Sequence, residues 1–265
     1  MTATTEETNE ELRAPSADLT DLTGQVAVVT GASSGLGRRF AEVLAARGAT
    51  VVAAARRLDL LEKLAAEQER VVPFRCDVTD EADRAALIAR AEDLGGVDVL
   101  VNNAGWAEAL PAAEQPLDSF RRTLDIDLTA LFALSVEAYA SMRPRGAGSI
   151  INIASVLGLV GSAPLTQSAY GAAKGGVVTL TRHLACEWAR DGVRVNAIAP
   201  GFFPSELTED MFADASAGRW LRRNTPMGRT GRGDELDGVL LLLAGAGSSY
   251  LTGQVLAVDG GWTAR

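Results

Sequence analysis

Short apolar runs alternate along the chain with segments whose apolar residues gather on one helical face, the patterns of buried strands and of amphipathic helices. Gln25–Thr30 (QVAVVT) is apolar and β-branched, and the following RRFAEVLAARG places Phe40, Val43 and Leu44 together before Gly48 stops the helix. Further strands are expected at Thr50–Ala55, Val71–Cys76, Val97–Val101, Ile150–Ile153 (ending at Ser155), Val193–Ala199 and Gln254–Val258. Long helices with apolar faces are expected over Asp118–Met142 and from Ser168 to Arg190, and a last one in GDELDGVLLLLAGA. The succession predicts one α/β domain, a doubly wound parallel sheet of about seven strands flanked by helices. Residues 201–232 have weak periodicity but carry Phe202, Phe203, Met211, Phe212 and Trp220. A stretch of that length beyond a strand suits a substrate lid, taken as about 202–232; a surface excursion with a few core contacts is the plainer reading.

The first strand runs straight into Gly31-Ala32-Ser33-Ser34-Gly35-Leu36-Gly37. Strand, glycine-rich turn and helix together aim backbone N–H groups and a helix N-terminus at a diphosphate. The second strand ends at Ala55, where a carboxylate would accept ribose hydroxyls and select NAD, and Arg56 and Arg57 follow instead. A carboxylate ~4 Å from a 2′-phosphate would cost about 4 kcal/mol per unit charge at an effective dielectric near 20. Arg56 offers a bidentate fork to that phosphate, so NADP(H) is expected in preference to NAD(H), although both arginines could simply solubilise the next helix. Asp77-Val78 ends the third strand, where a carboxylate can accept from an adenine amine or cap a turn. Asn102-Asn103-Ala104-Gly105 ends the fourth, and small residues there let a cofactor approach the backbone.

Tyr170 and Lys174 are four residues apart on one helix face. A phenol with its usual pKa of roughly 10 needs about 4 kcal/mol of preference for phenolate to reach ~7. A neighbouring ammonium and the positive ring of an oxidised nicotinamide are an adequate source. Taken alone, such a pair arises by chance on many helices, so its meaning depends on its surroundings.

Bulk properties narrow the field. The chain has 265 residues and a formal charge of −9, which argues against nucleic acid or an anionic membrane as partner. One histidine, His183, and two cysteines outside any CxxC, Cys76 and Cys186, assemble no metal site. No apolar run is long enough to span a bilayer. Residues 1–20 read as an acidic, disordered tail without the apolar core of a signal peptide, and the protein as cytoplasmic.

TGASSGLG, NNAG, a serine at a strand end and YGAAK, all in chain order from about Leu22 to Trp262, resemble a short-chain dehydrogenase/reductase. The resemblance implies a Rossmann-type single domain and reversible hydride exchange between a nicotinamide cofactor and a carbonyl/alcohol pair, as in carbonyl reductases and alcohol dehydrogenases. Tyr170 would donate the proton, Ser155 would polarise the carbonyl, and Lys174 would hold the nicotinamide ribose and lower the tyrosine pKa. Asn103 would lie near the adenine-side ribose, Pro200-Gly201 would pass the nicotinamide carboxamide with Phe203 beside them, and Ser205 takes a place usually held by threonine. Two departures stand out. Asp127, in LDIDLTAL, replaces an asparagine that supports a proton relay in the family, and Tyr170 follows Ser155 by 15 residues, slightly more than usual. Trp106, Leu157, Leu165, Gln167, Phe203 and Trp220 are candidate substrate walls, and their few charges favour neutral, partly apolar ketones. Relatives pair such long helices as homodimers or homotetramers, so a homo-oligomer is expected, with His183 and Cys186 as packing or interface residues. A non-catalytic dinucleotide-binding regulator and a dehydratase or epimerase on the same scaffold are the alternatives.

Overall fold

The computed structural model describes residues 18–161, 163, 165–204, 206 and 215–264. Most of the expected tail, Ser205, and Met211 and Phe212 of the expected lid lie outside them. Seven strands run in chain order: β1 (Val26–Thr30), β2 (Thr50–Ala55), β3 (Val71–Arg75), β4 (Val99–Asn102), β5 (Gly148–Ile153), β6 (Val193–Pro200) and β7 (Val255–Val258). They form one sheet, all parallel, in the order β3-β2-β1-β4-β5-β6-β7. The chain winds outward from β1 to β3, returns to lay β4 beside β1, and winds outward again. Strand order therefore reverses between β1 and β4, and a crevice opens there at the strands' carboxyl ends.

Helices cover both faces, which is why the strands read as continuous apolar runs. Ala27, Val29, Val51, Ala53, Val99, Val101 and Ile151 face one layer with Phe40 and Leu44 of α1 (Gly35–Ala46), Leu61 and Leu64 of α2 (Leu58–Glu67), and Leu240 and Leu243 of α8 (Asp237–Ala244). Val26, Val28, Val52, Leu100, Ile150 and Val195 face the other. There they meet Leu87 of α3 (Glu81–Glu92), Leu134 and Met142 of α5 (Ala130–Met142), and Leu184 and Trp188 of α6 (Ser168–Trp188). No helix among the described residues is long and apolar enough to cross a membrane.

Three expectations change. The helix expected over Asp118–Met142 is two: α4 (Leu117–Leu124) and α5 are joined by a π-helical turn, Asp125–Thr129, closed by the Ala130 N–H bonding Asp125 O. The weakly periodic stretch contains a helix, α7 (Ala215–Asn224). Residues Val97 and Asp98 precede β4: the Val97 N–H turns aside to Ser141 Oγ, while the Asp98 N–H bonds Val26 O and its carboxylate takes the Val26 N–H.

Candidate active site

The crevice is built on Thr30. Its Oγ1 accepts the backbone N–H groups of Asn103 and Ala104, both at 3.0 Å, while Asn103 Nδ2 donates to Thr30 O at 2.9 Å. The Asn103 amide thus pins the end of β4 to the glycine turn. Gly31, at φ +66°, has Ala104 Cα 2.9 Å from where its Cβ would be, and a Cβ on Gly37 would collide with Gly31 O. Only glycine lets the turn and α1 approach this closely.

Ser34 is the N-cap of α1, yet its side chain caps nothing. It is held instead by Arg57, whose Nη2 lies 3.0 Å from Ser33 Oγ and 2.9 Å from Ser34 Oγ. A carboxylate completes the group: Glu206 Oε2 accepts from Arg57 Nη2 and from Ser34 Oγ, each at 2.8 Å. The guanidinium at the glycine turn is therefore Arg57, not Arg56. Arg56 lines a separate polar cleft of about 440 Å³ with Asp77, Thr79, Arg121 and Arg122. Asp77 Oδ1 accepts the Thr79 N–H (3.0 Å) and hydroxyl (2.7 Å), which hold its carboxyl below the usual range. It is a turn-forming residue at the lip of that cleft, with Val78 half-buried beside it.

Ser155 leaves the end of β5, and Tyr170 and Lys174 stand on the opening turns of α6. Ser155 Oγ accepts the Leu157 N–H at 3.1 Å, and the serine stands close enough to Tyr170 to act on its phenol. Lys174, 3% exposed, donates to Ile153 O at 2.9 Å, and its Nζ lies 5.5 Å from the Tyr170 ring centre. Asp127, fully buried on the π-helical turn, places Oδ1 3.1 Å from Lys174 Nζ. That contact is an ion pair off the line of a good hydrogen bond, since Oδ1 has no aligned donor. Asp127 Oδ2 accepts the Trp106 N–H at 3.0 Å. A side chain on Gly105 would put its Cβ 2.8 Å from Asp127 Oδ1, so NNAG and LDIDLT are fitted to each other.

Burial pushes the Asp127 carboxyl up, against the pull of Lys174 and the Trp106 N–H. For Lys174 burial acts downward, but Asp127 and the phenol outweigh it and hold the group above the usual lysine value, as ammonium. Tyr170 is pushed up by burial, with Asp127 adding to the rise and Lys174 and Ser155 opposing it. The ammonium does favour phenolate, as the sequence suggests, but its counter-ion cancels part of that effect.

Of the expected substrate walls, Trp106, Leu157, Leu165, Gln167 and Trp220 are all half-buried. Leu157 and Trp220 share an apolar cluster with Val156, Phe202 and Trp262, and Trp262 meets Trp220 edge-on at 5.5 Å and Phe202 at 4.7 Å. The Arg122 guanidinium lies 4.6 Å from the Trp106 ring centre. Phe203 lines a small cavity with Phe202, Met227 and Val258. It is 5% exposed within the core layer of α1 and α8, and its ring fills the space where a Cβ on Gly231 would stand. Pro200 pairs with Val258, and the Gly201 N–H bonds Val258 O at 2.9 Å. His183 and Cys186 are exposed on α6.

A buried chain of amides beneath the site had no sequence signal. Asn102 Nδ2 donates to Ser135 Oγ and Asn152 Oδ1, both at 2.9 Å, and Asn152 Nδ2 donates to Thr181 Oγ1 at 3.0 Å. Glu206 was equally invisible, because it reaches Arg57 across 149 residues of chain.

A family model described as enoyl-(acyl carrier protein) reductase matches residues 31–263. The chain is 43% identical over 245 residues to cis-4-hydroxycyclohexanecarboxylate dehydrogenase of Sinomonas cyclohexanicum, covering 91% of this chain and 97% of that one. It superposes on a short-chain type dehydrogenase/reductase from Mycobacterium marinum with a TM-score of 0.90 at 37% identity, over 94% and 99% of the two chains. It also matches a gluconate 5-dehydrogenase from Burkholderia cenocepacia solved with NADP and tartrate, with a TM-score of 0.88 at 36% identity over 94% and 98%.

Proposed function

The chain belongs to the short-chain dehydrogenase/reductase family, and from that premise we propose that it interconverts an alcohol and its ketone or aldehyde with NADP(H). The convergence of Ser155, Tyr170, Lys174 and Asp127 at Gly105 of the NNAG segment carries this reading. The Leu157 N–H occupies an acceptor site on Ser155 Oγ, so the serine's own hydrogen turns toward the phenol or a substrate oxygen. Tyr170 gives its proton to the carbonyl oxygen in reduction and takes it back in oxidation. Lys174 commits one N–H to Ile153 O and sits against Asp127, which leaves an N–H for a ribose hydroxyl. The nicotinamide, when bound, supplies or takes up the hydride.

The chain's own anion tests the fit of a dinucleotide: the Glu206 carboxylate already rests on Ser34 and Arg57, the groups a cofactor phosphate would use. NADP(H) is favoured by the absence of a carboxylate at Ala55 and by Arg57, and the Burkholderia neighbour was solved with NADP. Gly31, Ser33, Ser34, Gly35, Leu36 and Gly37 would line the phosphates; Asn103, Ala104 and Gly105, the ribose side; and Pro200 and Gly201, the carboxamide. The walls are mostly apolar, while two relatives bear the names of hydroxylated acids, cis-4-hydroxycyclohexanecarboxylate and gluconate. Cyclic ketones and their carboxylated counterparts are therefore the first substrates to try. Phe132 and Val136, 45% and 40% exposed on α5, support pairing with a second copy.

The test is NADPH oxidation with that panel, followed at 340 nm, in wild type and Tyr170→Phe. The reading requires stoichiometric cofactor consumption and a loss of roughly 10²–10⁴-fold in the folded variant. Full-speed reduction by Tyr170→Phe would falsify it, and turnover without net NADPH loss would indicate an epimerase. KM for NADPH and NADH in Arg57→Ala and Arg56→Ala assigns the cofactor: the ratio should move toward NADH mainly in Arg57→Ala.

A further inference from the structure

At the mouth of the glycine turn the protein has filled an anion site with one of its own groups. Arg57 presents both terminal nitrogens to Glu206, with Nη1 3.2 Å from Oε1 and Nη2 2.8 Å from Oε2. Ser34, at the N-terminus of the twelve-residue α1, gives its hydroxyl hydrogen to the same carboxylate instead of capping its helix. This two-pronged grip with an added hydroxyl is the geometry by which a guanidinium holds a phosphate. An incoming phosphate and Glu206 therefore compete for the same donors.

Resting on the reading of NADP(H) as cofactor, we propose that Glu206 is a built-in competitor for the 2′-phosphate, setting the affinity for NADP(H) without affecting NAD(H). Charge and exposure decide the outcome. Arg57 and Glu206 are 47% and 56% exposed, so their attraction is screened and weak. A phosphate monoester carries about −1.5 to −2 at neutral pH against a single charge on the carboxylate, so it displaces Glu206 and part of its binding energy is consumed in doing so. NAD(H) lacks that group and leaves the pair undisturbed.

Calorimetric titration of the protein with NADP+, NAD+ and adenosine 2′-monophosphate tests this in wild type and Glu206→Gln. The exposed position makes the substitution structurally mild. The variant should bind NADP+ and adenosine 2′-monophosphate ~3–10-fold more tightly, the gain expected from releasing an exposed ion pair and one repulsive charge. NAD+ affinity should stay within about twofold, and the gain should shrink at high salt. Unchanged or weaker NADP+ binding would overturn the proposal, as would an equal gain for NAD+, which would mean general loosening of the turn. No measurable adenosine 2′-monophosphate binding to either protein would also overturn it. Failure of the redox reading shows instead as missing NADPH turnover, and leaves the nucleotide titration to report on Glu206 by itself.

Discussion

Replacing Asp127 by asparagine should move the pH dependence of catalysis. The carboxylate lies 3.1 Å from Lys174 Nζ, which lies 5.5 Å from the Tyr170 ring centre, so carboxylate and ring are at most about 8.6 Å apart. At that separation a unit charge at an effective dielectric near 20 raises the cost of a phenolate by about 2 kcal/mol, or ~1.4 pK units. Asparagine keeps an oxygen for Lys174 but removes the charge, and the ammonium then acts on the phenol unopposed. The sign follows from the roles: alcohol oxidation needs phenolate and rises with pH through the tyrosine pKa, whereas carbonyl reduction needs phenol and falls through it. Both limbs should therefore shift to lower pH by about one unit, and oxidation below the wild-type midpoint should accelerate roughly tenfold. Log kcat/KM against pH in both directions, at matched ionic strength, gives the measurement. A limb that stays put would mean Asp127 carries no charge felt by the phenol, and an upward shift would reverse the assigned roles; either refutes the reasoning. Asp127→Leu adds a stability contrast. It strands the buried ammonium, which should cost ~3–5 kcal/mol by denaturant melting.

Other expectations come from packing. Asn152→Ala removes the amide between Asn102 and Thr181 and should cost ~2–5 kcal/mol in urea unfolding, as two buried polar groups lose a partner. Gly37→Ala should abolish dinucleotide binding in calorimetry before it unfolds the protein, because its Cβ enters the space of Gly31 O. Native protein should titrate one fast thiol with a disulfide reagent and two after denaturation. Cys186 is exposed, while the Cys76 thiol is buried and pushed up to about 12 by burial and neighbouring carboxylates.

The strands were legible because burial on both faces leaves an unbroken apolar run, and all seven lie within two residues of their expected ends. Tyr170 and Lys174 were legible as neighbours on one helix face, and Ser155 and Asp127 through the family resemblance; the structure brings the four together. The turn at Asp125–Thr129 was not, since one extra residue in a helical turn hardly disturbs an apolar face. α7 was missed because its sequence, ASAGRWLRRN, offers only Trp220 and the fully buried Leu221 as large apolar residues, too few to show a helical period. Arg56 and Arg57 part company, Arg57 reaching Ser33 and Ser34 and Arg56 the cleft with Asp77, since neighbours in sequence project differently as a strand gives way to a helix. Phe203 packs against the core layer while edging a cavity, because an aromatic beside a strand end can turn inward as readily as outward.

The hydrogen-bonded amides under the site also bear on how accurately its reactive groups are held. A greasy helix resting on a greasy sheet can slide or roll by a fraction of a turn at little cost, because one methyl contact replaces another. Thr181, lying further along the helix that carries Tyr170 and Lys174, is keyed to Asn152 on β5, and Asn152 in turn to Asn102 on β4. Such a lock has a single seating, so the phenol and the ammonium inherit their aim from a contact that never meets the substrate.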